Sequence, residues 1–384
     1  MSHTTRKVSA GGFALAMLLP LSASLHADGG HHGHGHQAAV GAVYTMSNAP
    51  EGNSVLVFDR AANGRLSPAG EFDTGGLGTG SGLGDQSAVI IDPAQRWLFV
   101  VNAGSDDVSV FAIEEDGLSL VDQVHSGGQV PISLTYAHDL LYVLNAGGSV
   151  GGADSISGFH VGADGSLTPI VGSTQALSAA NTGPAQIAFN ADGDVLVVTE
   201  KATNLIDTFV VDGDGVAGPA MSHASEGPTP FGFAFAKRDQ VIVSEAAGGA
   251  ADASSASSYR LGKDGSLEPI SSTVPTTESA ACWAVVTNDG RYVYTTNAAS
   301  GTLSGYSIGF DGSLQLLDKN GVTGRTGKGS GPLDMVVSSD GRNLYTLNGA
   351  SDQIGGFRLK ADGGLASIKP NVDVPATALG LAIR

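Results

Sequence analysis

The stretch YVYTTNAASGTLSGYSIGFDGSLQLLD, residues 292–318, decides the fold. A β-rich run ends in Asn297, a small polar turn follows, and a second alternating run leads to Asp311-Gly312 and a third run. Asp-Gly between alternating apolar runs marks a tight hairpin, because glycine takes positive φ without steric cost. Three other stretches read the same way: residues 43–72, 98–124 and 344–370. The turn pair recurs as Asn63-Gly64, Asp116-Gly117, Asp164-Gly165, Asp214-Gly215, Asp264-Gly265, Asp311-Gly312 and Asp362-Gly363. A spacing of about fifty residues, held over the whole chain, is the mark of a repeat architecture.

Each unit needs a fourth strand. SAVIID, ISLTY, QIAFN, FGFAF, WAVVT and LDMVV precede units two to seven, and they are small and apolar, as a strand beside a crowded central channel must be. Unit one has none, since Val43 already stands at the second-strand position. The missing piece is LGLAI, Leu379–Ile383, at the far end. The sequence therefore predicts an all-β, seven-bladed β-propeller over residues 42–384, with four-stranded blades and a ring closed by the C-terminal strand. Two separate β-sandwiches would explain neither the period nor the orphan strand.

The topology sorts the loops. The Asp-Gly turns lie on one face. The other collects the inter-blade links and the turns after Asn48, Asn102, Asn145, Glu200, Glu245, Asn297 and Asn348. It also carries three long irregular segments, beginning at Asp73, Ser244 and Asn320, and long loops around a channel mouth are where ligands bind.

Composition agrees. The 384 residues hold 56 Gly and only 15% charged residues, which excludes a charged helical protein, and 41% apolar residues exclude general disorder. Residues 1–27 carry Arg6 and Lys7, an apolar run near Phe13–Leu19 and a small-residue end at Ala27, so a cleaved secretory signal is expected. An exported protein, periplasmic or extracellular, follows as the expectation. No segment approaches the ~20 apolar residues of a membrane span. Removing the signal takes away two bases and no acid, moving the net charge from −18 to −20. Such a chain repels nucleic acid and anionic membrane. The acids sit mostly in turns, where they serve solubility and turn chemistry or form an acidic binding surface. The lone Cys282 cannot make an internal disulfide.

Residues 28–41 read as a flexible His/Gly-rich tail. Its His31, His32, His34 and His36 either hold Zn²⁺, Cu²⁺ or Ni²⁺ weakly or form an incidental low-complexity tract. At the mouth, Asn is expected to bond its own turn backbone. Glu200 and Glu245 break that rule in adjacent units. Two nearby carboxylates can drive their pKa values apart for acid–base work, or each can simply accept the N–H bonds that Asn accepts elsewhere. Lys201 and His223 complete the catalytic candidates. His125, Glu226, Glu278 and Cys282 fall in links on the same face, and Glu278 is a substrate-binding candidate. Arg325 and Lys328 share one mouth loop and either hold an anionic substrate or are solvated surface charges. Cys282 reads as a buried thiol or a nucleophile. GRTGKGSG lacks P-loop spacing, GLGTGSGLG lacks the dinucleotide fingerprint, and no nucleophile elbow occurs.

Two units, residues 182–211 and 281–314, resemble the seven-bladed propeller lactonases, a family that includes propeller-type 6-phosphogluconolactonases and carboxymuconate-lactonising enzymes. The resemblance extends over all seven units. It implies a lactone hydrolase in which Gly-Pro is followed by Arg and often His, with a carboxylate about one strand later. Here Gly183-Pro184 is followed by Ala185 and Gln186, while Glu200 keeps the carboxylate. The preceding blade's His is also missing, since Pro131 is followed by Ile132. Lys201, His223, Arg325 or Lys328 would then have to polarise the lactone carbonyl while Glu200 activates water. The expectations are thus a lactonase-like propeller acting on a sugar or other small lactone, or a non-catalytic propeller that binds a ligand or protein. It would need no cofactor, or would hold a divalent cation in the channel, and would work as a monomer.

Overall fold

The computed structural model describes residues 39–384. The signal expected at residues 1–27 and the four tail histidines lie outside the described residues. From Ala39 onward the chain forms seven antiparallel sheets, with no long helix. The innermost strands are Leu379–Ile383, Val89–Ile91, Pro131–Ala137, Pro184–Phe189, Pro230–Phe235, Ala281–Val286 and Pro332–Val337, for blades 1 to 7 in order. No helix among the described residues is long and apolar enough to cross a membrane.

Closure occurs where the sequence places it. Leu379–Ile383 pairs with Ala39–Met46, with Val43 opposite Ile383 and Met46 opposite Leu379. Thr45 Oγ1 donates to the Leu379 carbonyl at 3.0 Å, and the Arg384 N–H donates to Ala42. The strand begins at Ala39, three residues before the expected edge of the fold, because residues 39–41 pair with Arg60 and Ala61. A second difference concerns the rims of blades 3 and 6. Their outermost strand is broken into two short pieces, Leu167–Pro169 with Gln175–Ala176 and Leu314–Leu316 with Gly324–Arg325. A turn lifts the chain off the sheet between each pair, and Gly172 and Gly321 take the left-handed φ it requires, +84° and +73°.

Each of the seven repeat turns has its Asp-Gly or Asn-Gly glycine at positive φ. These turns also tie blades together. Tyr142 donates to the Gly215 carbonyl at 2.7 Å, Thr208 to Gly265 at 2.6 Å, Ser258 to Gly312 at 2.7 Å, Tyr294 to Gly363 at 2.7 Å and Tyr345 to Gly64 at 2.8 Å. Each bond runs from one blade to the turn of the next. In blade 2 the same place is filled by Trp97, whose ring lies against Gly165. The repeat thus uses one turn twice: its φ makes the hairpin, and its carbonyl fixes the neighbour.

The ties differ in worth. Tyr345 makes one bond, whereas Tyr142 also accepts the Ala217 N–H at 2.9 Å. A buried bond contributes about 1 kcal/mol, and a stranded partner costs about 1–3. Tyr345→Phe should therefore cost about 1 kcal/mol and Tyr142→Phe about 2–3 kcal/mol in urea denaturation. Equal losses would show that the second bond contributes nothing.

Candidate functional site

The channel is filled by the protein itself. The glycine-rich segment 76–87, between blades 1 and 2, crosses the mouth and then enters the axis. Its first half is anchored on blade 1: the Gly78 N–H donates to Ala49, the Thr79 N–H to Asn48 Oδ1, and Asn48 Nδ2 to the Ser81 carbonyl. Its second half bonds to blades 3, 4 and 6. The Gln86 N–H donates to Ala185, its side-chain amide donates to Ala284 at 2.8 Å and accepts from the Ala284 N–H at 3.1 Å, and its carbonyl accepts from Ser133 Oγ at 2.6 Å. Trp283 Nε1 donates to the Asp85 carbonyl, and the Leu134 N–H to Ser87. Innermost strands present unpaired N–H and C=O groups to the axis, and the plug satisfies them in place of water. Close approach requires glycine at Gly232, where a Cβ would stand 2.2 Å from Gln86 Oε1.

The plug brings charge into a dry place. Asp85 is 6% exposed and Asp334 4%. Burial raises the Asp85 carboxyl well above its ordinary range, and the Asp334 charge adds to that. Burial lifts Asp334 to about 7 against three backbone N–H donors, those of Met335, Leu381 and Ser87. Lys201, the first residue after the second strand of blade 4, extends into the same region. Its Nζ donates to the Gly84 carbonyl of the plug at 2.5 Å and to Pro184 at 2.7 Å, and stands 4.7 Å from the centre of the Phe231 ring. Desolvation lowers its pKa to about 8, although Asp85, Cys282 and Asp154 all favour the charged form.

Lys201 also lines a mouth pocket of about 410 Å³ between blades 3 and 4. Leu83, Val130, Ile132, Ala146, Val150 and Pro184 make its apolar wall. Thr79, Ser81, Ser149, Asn181 and Asp154 supply polar atoms. Asp154 is saturated: Oδ1 accepts from the Gly148 N–H, and Oδ2 from the Thr182 N–H and hydroxyl. A concave pocket with one desolvated cation can bind a carbonyl oxygen and stabilise charge developing there.

The comparisons agree with this architecture. The family "Lactonase, 7-bladed beta-propeller" matches residues 43–150. The chain is a seven-bladed propeller whose residues 43–150 resemble that family. No curated protein matches it by sequence. Among solved structures, a protein from Bacteroides fragilis described as a candidate 6-phosphogluconolactonase superposes with a TM-score of 0.69 at 20% identity, over 90% of this chain and 98% of its own. The periplasmic gluconolactonase of Pseudomonas aeruginosa gives 0.68 at 19%, over 89% and 99%. A Lactobacillus plantarum protein gives 0.70 at 15%, over 90% and 99%. At these identities the likeness speaks for the fold.

The propeller places the expected site residues unevenly. Glu200 and Glu245 are fully buried and point into their own blades rather than the pocket. Glu200 accepts from the Ser178 N–H at 3.0 Å, from Ser178 Oγ and from Thr203 Oγ1. Its carboxylate neighbour is Asp207, not Glu245. Asp207 Oδ1 has no hydrogen-bond partner; burial, with Glu200 beside it, raises Asp207 to about 7, so Asp207 holds a proton against Glu200. Glu245 accepts from the Gly227 N–H at 2.9 Å and from Ser255 Oγ. Both glutamates therefore join a blade to the incoming link. Their Asn siblings do related work through side chains of the next strand: Asn102 donates to Ser109, Asn145 to Ser157 and Asn297 to Ser304. Only Asn48 takes the left-handed backbone expected of the series.

His223 is not at the mouth. It lies in the outermost strand Met221–Ala224, and its Nε2 meets Thr208 Oγ1 and the Gly265 carbonyl, both at 3.1 Å, in the seam beneath blade 5's hairpin turn. Its strand register, opposite Ile206, turns it there. Glu278 is tied by Thr302 Oγ1 at 2.7 Å. Arg325 and Lys328 are exposed, without a hydrogen-bond or ion-pair partner among the described residues, and neither lines the pocket. His125 is exposed and accepts from the Gly127 N–H, while the Glu226 N–H donates to Tyr259. Burial pushes the Cys282 thiol up to about 12, so it is no thiolate at neutral pH. No cluster of three or more metal-ligating side chains occurs among the described residues. Asp85, Asp334 and Asp154 escaped sequence reasoning. The one available signal was Asp85-Gln86 closing a loop otherwise free of charge.

The Glu200–Asp207 pair makes stability depend on pH. Its native proton is held up to about pH 7, while an unfolded Asp loses it near 4. The folded state thus binds more protons between these values, and stability falls as pH rises from about 4 to 7. Asp207→Asn, whose amide donates to Glu200 at any pH, should reduce that slope and raise the melting temperature at pH 8. Asp334 leaves a residual slope of the same sign. An unchanged slope between pH 4 and 7 would refute the proton held by Asp207.

Proposed function

We propose that the chain hydrolyses lactones in the pocket between blades 3 and 4, with Lys201 as the group that polarises the ring carbonyl. The observation that carries this is the Lys201 ammonium itself: desolvated, held by two main-chain carbonyls, and facing a pocket of ligand size. An ammonium uses two of its three N–H groups on Gly84 and Pro184 and keeps one for a ligand. Water adds to the carbonyl carbon, and the oxygen becomes an oxyanion beside Lys201. The intermediate then collapses with cleavage of the ring C–O bond, and the ring oxygen leaves as an alcohol carrying one of the water protons. The second proton leaves with the new carboxylic acid. Val150 and Asn181 are exposed at the rim, so water has access from the mouth. This reading assigns no step to a metal ion. It also places the protein outside the cytoplasm, on the strength of residues 1–27.

A second reading is binding without turnover. Ala185, where the family resemblance implies Arg, is fully buried, and its carbonyl accepts the Gln86 N–H of the plug. With Glu200 also inside its blade, the pocket lacks the family's expected machinery, and a binding propeller would need none of it.

Assay of the mature protein on a lactone panel separates the two. Loss of one donor to an oxyanion costs about 10²–10³ in rate, so Lys201→Met should lower kcat/KM by that factor. The ammonium is the acting form, so wild-type kcat/KM should be flat below pH 8 and fall above it, following the pKa of about 8. Glu200→Gln should leave the rate within a few fold, and EDTA should not change it. Ligand binding with no hydrolysis would favour the second reading. Full activity in a folded Lys201→Met protein would refute the site.

A further inference from the structure

We infer that the substrate class is an uncharged lactone bearing a hydrocarbon arm, and that phosphorylated lactones are excluded; this rests on the Lys201 pocket being the reactive site. The inference comes from the charge and wall of the pocket. Its charged side chains are Lys201 and Asp154 alone. Lys201 already spends two N–H groups on Gly84 and Pro184 and faces the Phe231 ring, which leaves one donor. A phosphate monoester presents three strong acceptor oxygens and close to two negative charges, and it is held by arginine forks or by several N–H groups together. Nothing lining this pocket supplies them. Asp154 would oppose the phosphate, since its carboxylate is fully engaged by Gly148 and Thr182 and cannot turn away. Arg325 and Lys328, the free cations of the mouth face, do not line the pocket.

The wall argues for what fits instead. Ile132 stands at the position after Pro131 and presents hydrocarbon. With Leu83, Val130, Ala146 and Val150 it forms a continuous apolar side leading outward from the amine. Val150 is 60% exposed at the rim, a large apolar side chain left in water that an alkyl arm would cover. A volume of about 410 Å³ takes a lactone ring and a short chain. The ring carbonyl goes to Lys201, the ring oxygens meet Asn181 and the Ser and Thr hydroxyls, and the arm runs along Ile132 to Val150.

The test compares four substrates: δ-valerolactone, δ-decalactone with its pentyl arm, glucono-δ-lactone and its 6-phosphate. Each buried methylene is worth about fourfold, so covering two or three carbons of the pentyl arm should make δ-decalactone exceed δ-valerolactone in kcat/KM by about 16- to 64-fold. The phosphorylated lactone should not rise above background. Binding is measured in parallel by calorimetry with the δ-lactam carrying the same pentyl arm, which cannot be turned over, and with 6-phosphogluconate. If the lactam binds and no lactone is hydrolysed, the hydrolytic reading falls while the ligand class stands. If the phosphorylated compounds are preferred in either assay, or the pentyl arm gives no gain, the inference is overturned. Val150→Arg, at an exposed position that leaves the fold intact, should bind 6-phosphogluconate at least fivefold more tightly than wild type and the pentyl lactam less tightly. No change in either would also count against the assignment.

Discussion

The structure depends on one pairing between the two ends of the propeller. Leu379–Ile383 adds to Ala39–Met46 through bonds spanning more than three hundred residues of sequence. Without it, blade 1 has no innermost strand and blades 7 and 2 lose their packed neighbour. An open seven-blade arc would also leave strand edges able to pair with other chains. The ties from Tyr142, Thr208, Ser258, Tyr294 and Tyr345 to the next blade's turn act in series around the ring. They can strain against one another only when the ring is closed, so closure converts seven weakly joined sheets into one rigid scaffold.

Rigidity at the rim creates a problem at the axis. Seven innermost strands bring backbone polar groups to the axis, and segment 76–87 pairs with those of blades 3, 4 and 6. Gln86 does most of this, since its amide imitates a peptide group against Ala284. The consequence is electrostatic. Burial there drives Asp85 and Asp334 toward their neutral forms and lowers Lys201 to about 8, although acids stand near it. Desolvation outweighs attraction here because no carboxylate makes a direct ion pair with the amine; its partners are neutral carbonyls and a ring.

The fold was legible because its signals are local. An Asp-Gly turn needs only its own two residues, and each of the seven repeat pairs forms a hairpin with glycine at positive φ. Innermost strands carry a local mark too. Blades 3, 4, 5 and 7 enter them through a left-handed residue followed by proline, at Val130, Gly183, Thr229 and Gly331. The site was less legible because its contacts are not local. Asp85 meets Trp283, and Gln86 meets Ala284, each 198 residues away. His223 was misplaced for a different reason. Four strand residues, not a link, surround it, and a one-residue difference in register separates the channel side of a blade from the seam.

Glu200 shows how a family resemblance and a packing demand can select the same residue. Asn at the end of a second strand reaches the hydroxyls of the third strand. Glu is one methylene longer and reaches past them to the N–H of the incoming link, Ser178 in blade 4 and Gly227 in blade 5. The extra length carries the tie to a backbone N–H of the link, whereas Asn102 reaches the neighbouring blade through side chains alone, accepting from Thr74 Oγ1 and Asn53 Nδ2. A carboxylate used in that way is fully buried in its blade, is tied to protein donors, and does not line the pocket. A side chain that reaches the pocket must therefore leave the blade. Lys201 does so at the next position in sequence, where strand alternation has ended and the turn sends its side chain under the plug. The residue that identifies the blade and the residue that can act in the pocket are neighbours in sequence, but the strand end separates their roles.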